Sequence, residues 1–127
     1  MEMSEQILNA TGTNDAKREV AVSYNRIAGI YEQLGGKDNL KKALELYQKC
    51  LDIKEQLAES ESTIDAYDDL AVSLYKVAMH EYTDPKTKKQ LLTRGLQVAK
   101  MLYDNLPNER YETLVRDFER ELKKMSE

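Results

Sequence analysis

The sequence predicts an all-α protein built of antiparallel helix pairs, about five helices in all, with the last acting as a C-terminal cap. Three observations lead there. Apolar residues recur at steps of three and four along most of the chain and do not alternate. Only five Gly and two Pro punctuate 127 residues, too few for a many-stranded sandwich. The stretches between periodic segments run to roughly 3–6 residues, the length that joins antiparallel neighbours.

The first helix is expected from about Asp15 to Leu34, with Val20, Tyr24, Ile27, Ala28, Tyr31 and Leu34 on one stripe. Thr13 can cap it, and Gly35-Gly36 ends it because glycine tolerates the left-handed turn after a helix. The second helix is expected from Asn39 to about Ala58, capped by Asp38. Its stripe is Leu40, Ala43, Leu44, Tyr47, Cys50, Leu51, Lys54 and Leu57. Lys54 alone breaks the stripe, and its stem can lie on apolar surface with the ammonium in water.

Ser60 to Thr63 forms a polar joint rich in cap candidates. The third helix is expected from Ile64 to about Tyr82 through Tyr67, Leu70, Ala71, Leu74, Val77 and Ala78. Thr83-Asp84-Pro85 reads as a restart, with Asp84 as cap and Pro85 in the first helical position. The fourth helix continues to about Asn105 through Leu91, Leu92, Gly95, Leu96, Val98, Ala99 and Leu102. Pro107 is expected to open the fifth, whose apolar face is Tyr111, Leu114, Val115, Phe118 and Leu122 and whose other face is charged.

Composition narrows the function. Nineteen Lys and Arg against twenty-three Asp and Glu give a net charge of −4, which disfavours a nucleic-acid partner. No apolar run approaches the ~20 residues of a membrane-spanning helix. The opening Met1-Glu2-Met3-Ser4-Glu5 is acidic and polar, unlike a secretory leader, so a cytoplasmic location without membrane contact is expected. One Cys and one His leave no internal disulfide and little for a metal site, and neither a metal nor a cofactor is expected.

The chain also repeats itself at an offset of fifty residues. Glu5-Gln6 returns as Glu55-Gln56, Thr13 as Thr63, Asp15-Ala16 as Asp65-Ala66, and Ala21-Val22-Ser23 as Ala71-Val72-Ser73. Arg26 and Ala28 return as Lys76 and Ala78. A weaker echo at fifty-two pairs Ala43-Leu44-Glu45-Leu46 with Gly95-Leu96-Gln97-Val98. Repeats of this size mean stacked units that bury their faces only against neighbours.

Tyr24, Ile27, Ala28 and Tyr31, then Leu34-Gly35, then Ala43, Tyr47 and Cys50 resemble a tetratricopeptide repeat of the long variety found in kinesin-light-chain-like and bacterial signalling arrays. The resemblance covers about residues 13–106. It implies a helix pair at about 13–59, a second at 62–106 and a capping helix at 107–127, all in one domain of 1–127. The glycine loop is about three residues longer than the family's, and in the second unit the final Tyr place falls on Glu81. Residues 4–10 echo the end of the second helix, as though the chain began inside a preceding unit.

The resemblance implies a protein-interaction scaffold whose first helices line a concave groove for a peptide or partner protein. Carried over, the lining residues are Val22, Asn25, Gly29, Glu32 and Gln33, then Val72, Tyr75, Met79 and Tyr82, with Glu119 and Lys123 from the cap. Tyr75, Met79 and Tyr82 would share one helix face. The family's clamp for a C-terminal carboxylate is not supported, since Gly29 and Lys76 stand where Asn is expected. The competing reading is a self-associating helical protein, a homo-oligomer that fills its own grooves.

An enzyme is not expected. His80 has no nucleophile and orienting acid beside it in the pattern, and Cys50 sits on a core stripe. Gly35-Gly36-Lys37 lacks the spacing and the following Ser or Thr of a phosphate loop. Asp68-Asp69 reads as solvated helix face. Lys86, Lys88 and Lys89 crowd the first turn of a helix, where the dipole disfavours cations, and such a conflict can mark a binding patch.

Overall fold

The computed structural model describes residues 13–127, all-helical with no strand among them. The echo expected at residues 4–10, like the Glu5-Gln6 match, lies outside the described residues. The chain divides after Ser62 into two compact units.

The first unit is a helical hairpin of α1 (Asn14–Leu34) and α2 (Lys37–Glu61). The Thr13 hydroxyl accepts the Ala16 amide at 3.1 Å, so the expected cap is present. Gly35 and Gly36 carry φ of 71° and 85°, a left-handed pair that L side chains rarely adopt. That pair reverses the chain within two residues, so α2 restarts at Lys37 and not at Asn39. Asp38 is therefore not the cap. It lies inside the first turn, where its charge still favours the helix dipole, while the Asn39 amide donates to the Gly35 carbonyl at 2.8 Å.

The two helices run antiparallel. Arg18 pairs with Glu61 and Ser60 meets Asn14 at one end, and the Lys42 ammonium lies 5.6 Å from the Tyr31 ring at the other. Between them Val20, Ala21, Tyr24, Cys50, Ile53 and Leu57 form the core. Ile53 takes the buried place that the stripe gave to Lys54, since Cys50, Ile53 and Leu57 keep the three-then-four step. Leu34 is 67% exposed, because the reversal at Gly35 carries it past the end of the packed face.

The second unit holds three helices, α3 (Ile64–Ala78), α4 (Pro85–Asn105) and α5 (Glu109–Ser126). Thr63 caps α3 through the Ala66 amide at 3.1 Å. α3 stops at Ala78, four residues short of the expected Tyr82. The Val77 carbonyl, which the Glu81 amide would need, is taken by the Thr83 hydroxyl at 2.6 Å and the His80 amide at 3.3 Å. Asp84 then caps α4 through the Thr87 amide at 3.0 Å, with Pro85 first in the helix as expected. Pro107 does not open α5. Asn108 does, accepting the Tyr111 amide at 2.9 Å.

α5 packs against both of its neighbours. It is antiparallel to α4, and the pair closes on Gly95, which is buried beneath the Phe118 ring. A Cβ at Gly95 would collide with that ring, so the absent side chain is what lets the fully buried Phe118 sit there. α5 runs parallel to α3. Asp68 meets Tyr111 near one end and Tyr75 meets Phe118 further along, edge to face at 5.5 Å between centroids.

Candidate interaction groove

The parallel pair α3 and α5 leaves a groove between them. Val72 and Leu114 supply its apolar surface, and Glu109, Arg110, Thr113 and Asp117 its polar rim, around an open volume of about 440 Å³. Val72 is 50% exposed although it stands in the middle of α3, flanked by the buried Ala71 and Leu70. Val72 thus presents apolar surface outside the core of its own unit.

The rim is held in place. Asp68 accepts two bonds from Arg110, at 2.6 and 3.0 Å, and one from the Tyr111 hydroxyl at 2.8 Å. Two parallel bonds fix the guanidinium plane, so Arg110 faces the groove with little freedom. The Arg110 bonds outweigh burial and hold the Asp68 carboxyl below the usual carboxylate range. Burial, followed by the Asp68 carboxylate, pushes the Tyr111 hydroxyl up. Further along α5, Arg120 pairs with Asp117 at 3.1 Å.

The residues carried over from the resemblance separate into groups. Asn25, Glu32 and Gln33 are exposed on α1, with Val22 48% exposed beside them and Gly29 half-buried. Glu32 also faces the buried Tyr47, whose hydroxyl is pushed up to about 12 by burial and by that carboxylate. Tyr75 is half-buried against Phe118. Met79 is the C-cap of α3, 38% exposed, and Tyr82 lies in the turn beyond, its amide on His80 Nδ1 at 3.2 Å. Tyr75, Met79 and Tyr82 therefore do not share a helix face, because α3 ends before the row is complete. Glu119 is exposed and borders a second depression with Lys100 and Tyr103, and Lys123 is exposed in the last turn of α5.

Arg110, Thr113, Leu114 and Asp117 escaped the carry-over, as did the role of Asp68, which is bonded and not merely solvated. Arg110 is 42 residues from Asp68, and nothing local in sequence announces the pairing. The signal that was available is the Asn108 cap, which sets the phase of α5 and turns Arg110 and Leu114 toward one side.

Cys50 is buried, and no group of three metal-ligating side chains occurs among the described residues. None of the described helices is long and apolar enough to cross a membrane. Comparison with protein-family models, curated proteins and solved structures finds no match.

Proposed function

We propose that the chain is a tetratricopeptide-like scaffold that binds a peptide or partner protein on the faces of its first helices. The observation that carries this is the agreement of the two hairpins in one fifty-residue register. Thr13 and Thr63 cap through the same bond at the same 3.1 Å. Ala21 and Ala71 are buried, Val22 and Val72 are about half exposed, and Ala28 and Ala78 are both fully buried. A repeat that preserves an outward valine next to an inward alanine preserves a surface as well as a core. Within the second unit α5 runs parallel to α3, and the Val72 groove lies between them. Ile30, Leu34 and Leu106, all exposed, favour the second reading, self-association.

Val72→Glu places a charge on the groove floor without touching the core. Proteins captured from a native lysate by the parent chain and by His80→Ala should be lost with Val72→Glu, at unchanged helix content. Light scattering across concentration separates the second reading: a mass that rises with concentration in the parent and falls to the monomer in Val72→Glu assigns the groove to the chain's own copies.

A further inference from the structure

α4 carries a charge pattern that the groove does not use. Between Pro85 and Tyr103 lie five of the nineteen cations and none of the twenty-three acids. The remainder of the chain thus holds fourteen cations against all twenty-three acids, and among the described helices α4 alone is basic. Alone among the described helices, α4 has no acid in its first turn, and Lys86, Lys88 and Lys89 are there instead. The dipole opposes them, so they do not serve the helix.

Neither do they serve the fold. Lys86 and Lys89 are exposed, Lys88 is half-buried, and Lys100 is exposed two turns further along the helix from Thr93. None of these four makes an ion pair among the described residues. By contrast Arg18, Arg110, Arg116, Arg120 and Lys124 each hold a carboxylate. Gln90, Thr93 and Gln97 lie between the lysines and border an open depression of about 480 Å³ with Lys86, Lys89 and Arg94. The face from Lys86 to Lys100 is about 21 Å long at 1.5 Å per residue.

We infer that the face of α4 that carries Lys86, Lys89 and Lys100 docks an acidic protein segment, a short run rich in Glu or Asp that meets these three lysines with its carboxylates and the Gln and Thr side chains with its backbone. Three features favour that occupant over other polyanions. No aromatic side chain borders the depression between Lys86 and Gln97 to stack on bases, as single-stranded nucleic acid requires, and Tyr103 stands beside Lys100 only at the far end of the face. No apolar side chain borders that depression to enter a bilayer, as an interfacial helix requires. The net charge of −4 repels a long, densely charged polymer, whereas a segment of about seven extended residues spans only the basic face.

The test uses the full chain and a fluorescently labelled Glu-rich peptide about eight residues long, read by anisotropy. Binding is expected, and it should weaken as salt rises from about 50 to 200 mM, as screening of exposed charges demands. Lys86→Glu with Lys89→Glu should lower the affinity about tenfold or more while leaving the circular dichroism spectrum intact, since acids suit that turn better. Arg26→Glu with Lys37→Glu makes the same change in net charge elsewhere and should leave binding within about twofold. Val72→Glu should bind the peptide as the parent does, which separates this face from the groove. Equal loss in the two double variants would reduce the effect to net charge and overturn the inference. So would no binding of the peptide, or binding of a single-stranded oligonucleotide or a phosphatidylserine vesicle in its place.

Discussion

The two hairpins begin alike and end differently. Each opens on a Thr cap three residues before a buried Ala, and each buries an Ala at the equivalent later place. Yet α1 runs for 21 residues and α3 for 15. The difference lies in the residues just beyond each helix. Gly35-Gly36 turns the chain after the helix has run its length, whereas the Thr83 hydroxyl takes the Val77 carbonyl and stops α3 early. The apolar pattern fixes which face packs, and a few polar or glycine residues at the ends fix how far the helix goes. The units also differ in how the core is filled. The first packs aliphatic side chains with Tyr24, Tyr47 and Cys50, and the second, besides Leu70, Leu74, Val77, Leu92, Val98 and Leu102, buries one aromatic ring over one glycine.

That contrast can be broken most sharply at the ring. Phe118→Ala should cost about 3–5 kcal/mol, since Gly95 leaves no neighbouring side chain to fill the hole. Hydrogen exchange should show protection lost chiefly in residues 63–127. A loss spread evenly over 13–127 would mean that the second unit has no core of its own.

Gly35→Ala forces a side chain into a left-handed conformation at φ 71° and should cost about 1–2 kcal/mol, seen as a lower melting temperature. Thr83→Val removes one hydroxyl bond and should cost about 1 kcal/mol. It should also lengthen α3, so amide exchange at Glu81 and Tyr82 should slow. Unchanged exchange there would show that Thr83 does not set the stop.

Opposite ends of the pH scale should also distinguish the units. Asp68 has its pKa lowered, chiefly by Arg110, so its contribution is present above the unfolded value near 3.9 and is lost as pH falls through the folded one. Glu121 acts in the same direction: burial opposes ionisation, but Arg120 and Lys124 outweigh it. Acid unfolding should therefore start in residues 63–127, and Asp68→Asn should flatten it. Tyr47 is raised to about 12, so its contribution is whole below the unfolded value near 10 and is lost as pH rises toward 12. Tyr111 is raised as well, so Tyr47→Phe is needed to isolate the first unit's share of the alkaline loss. Denaturant midpoints measured across pH check both.

Much of the architecture was legible in the sequence. Helical class, the five helices of the described residues, the Thr13, Thr63 and Asp84 caps and the buried Ala pairs all come from local spacing and local chemistry, which act within one turn. The failures share a cause. Asp38, Pro107 and the end of α3 were each decided by a competing hydrogen bond or a backbone reversal a few residues away. The groove was legible only at Val72. Its other wall depends on α5 lying parallel to α3, a pairing over forty residues that no local rule contains.

If the two hairpins are copies of one packing unit, Ala28 and Ala78 must respond alike to the same overpacking. Both are fully buried and stand fifty residues apart at the same place in their helices. Ala28→Leu and Ala78→Leu, with hydrogen exchange read across the chain, should each cost about 1–3 kcal/mol by overpacking, the first within residues 13–62 and the second within 63–127. If one site accepts leucine without loss while the other does not, the two hairpins are not packed alike and the shared register is wrong.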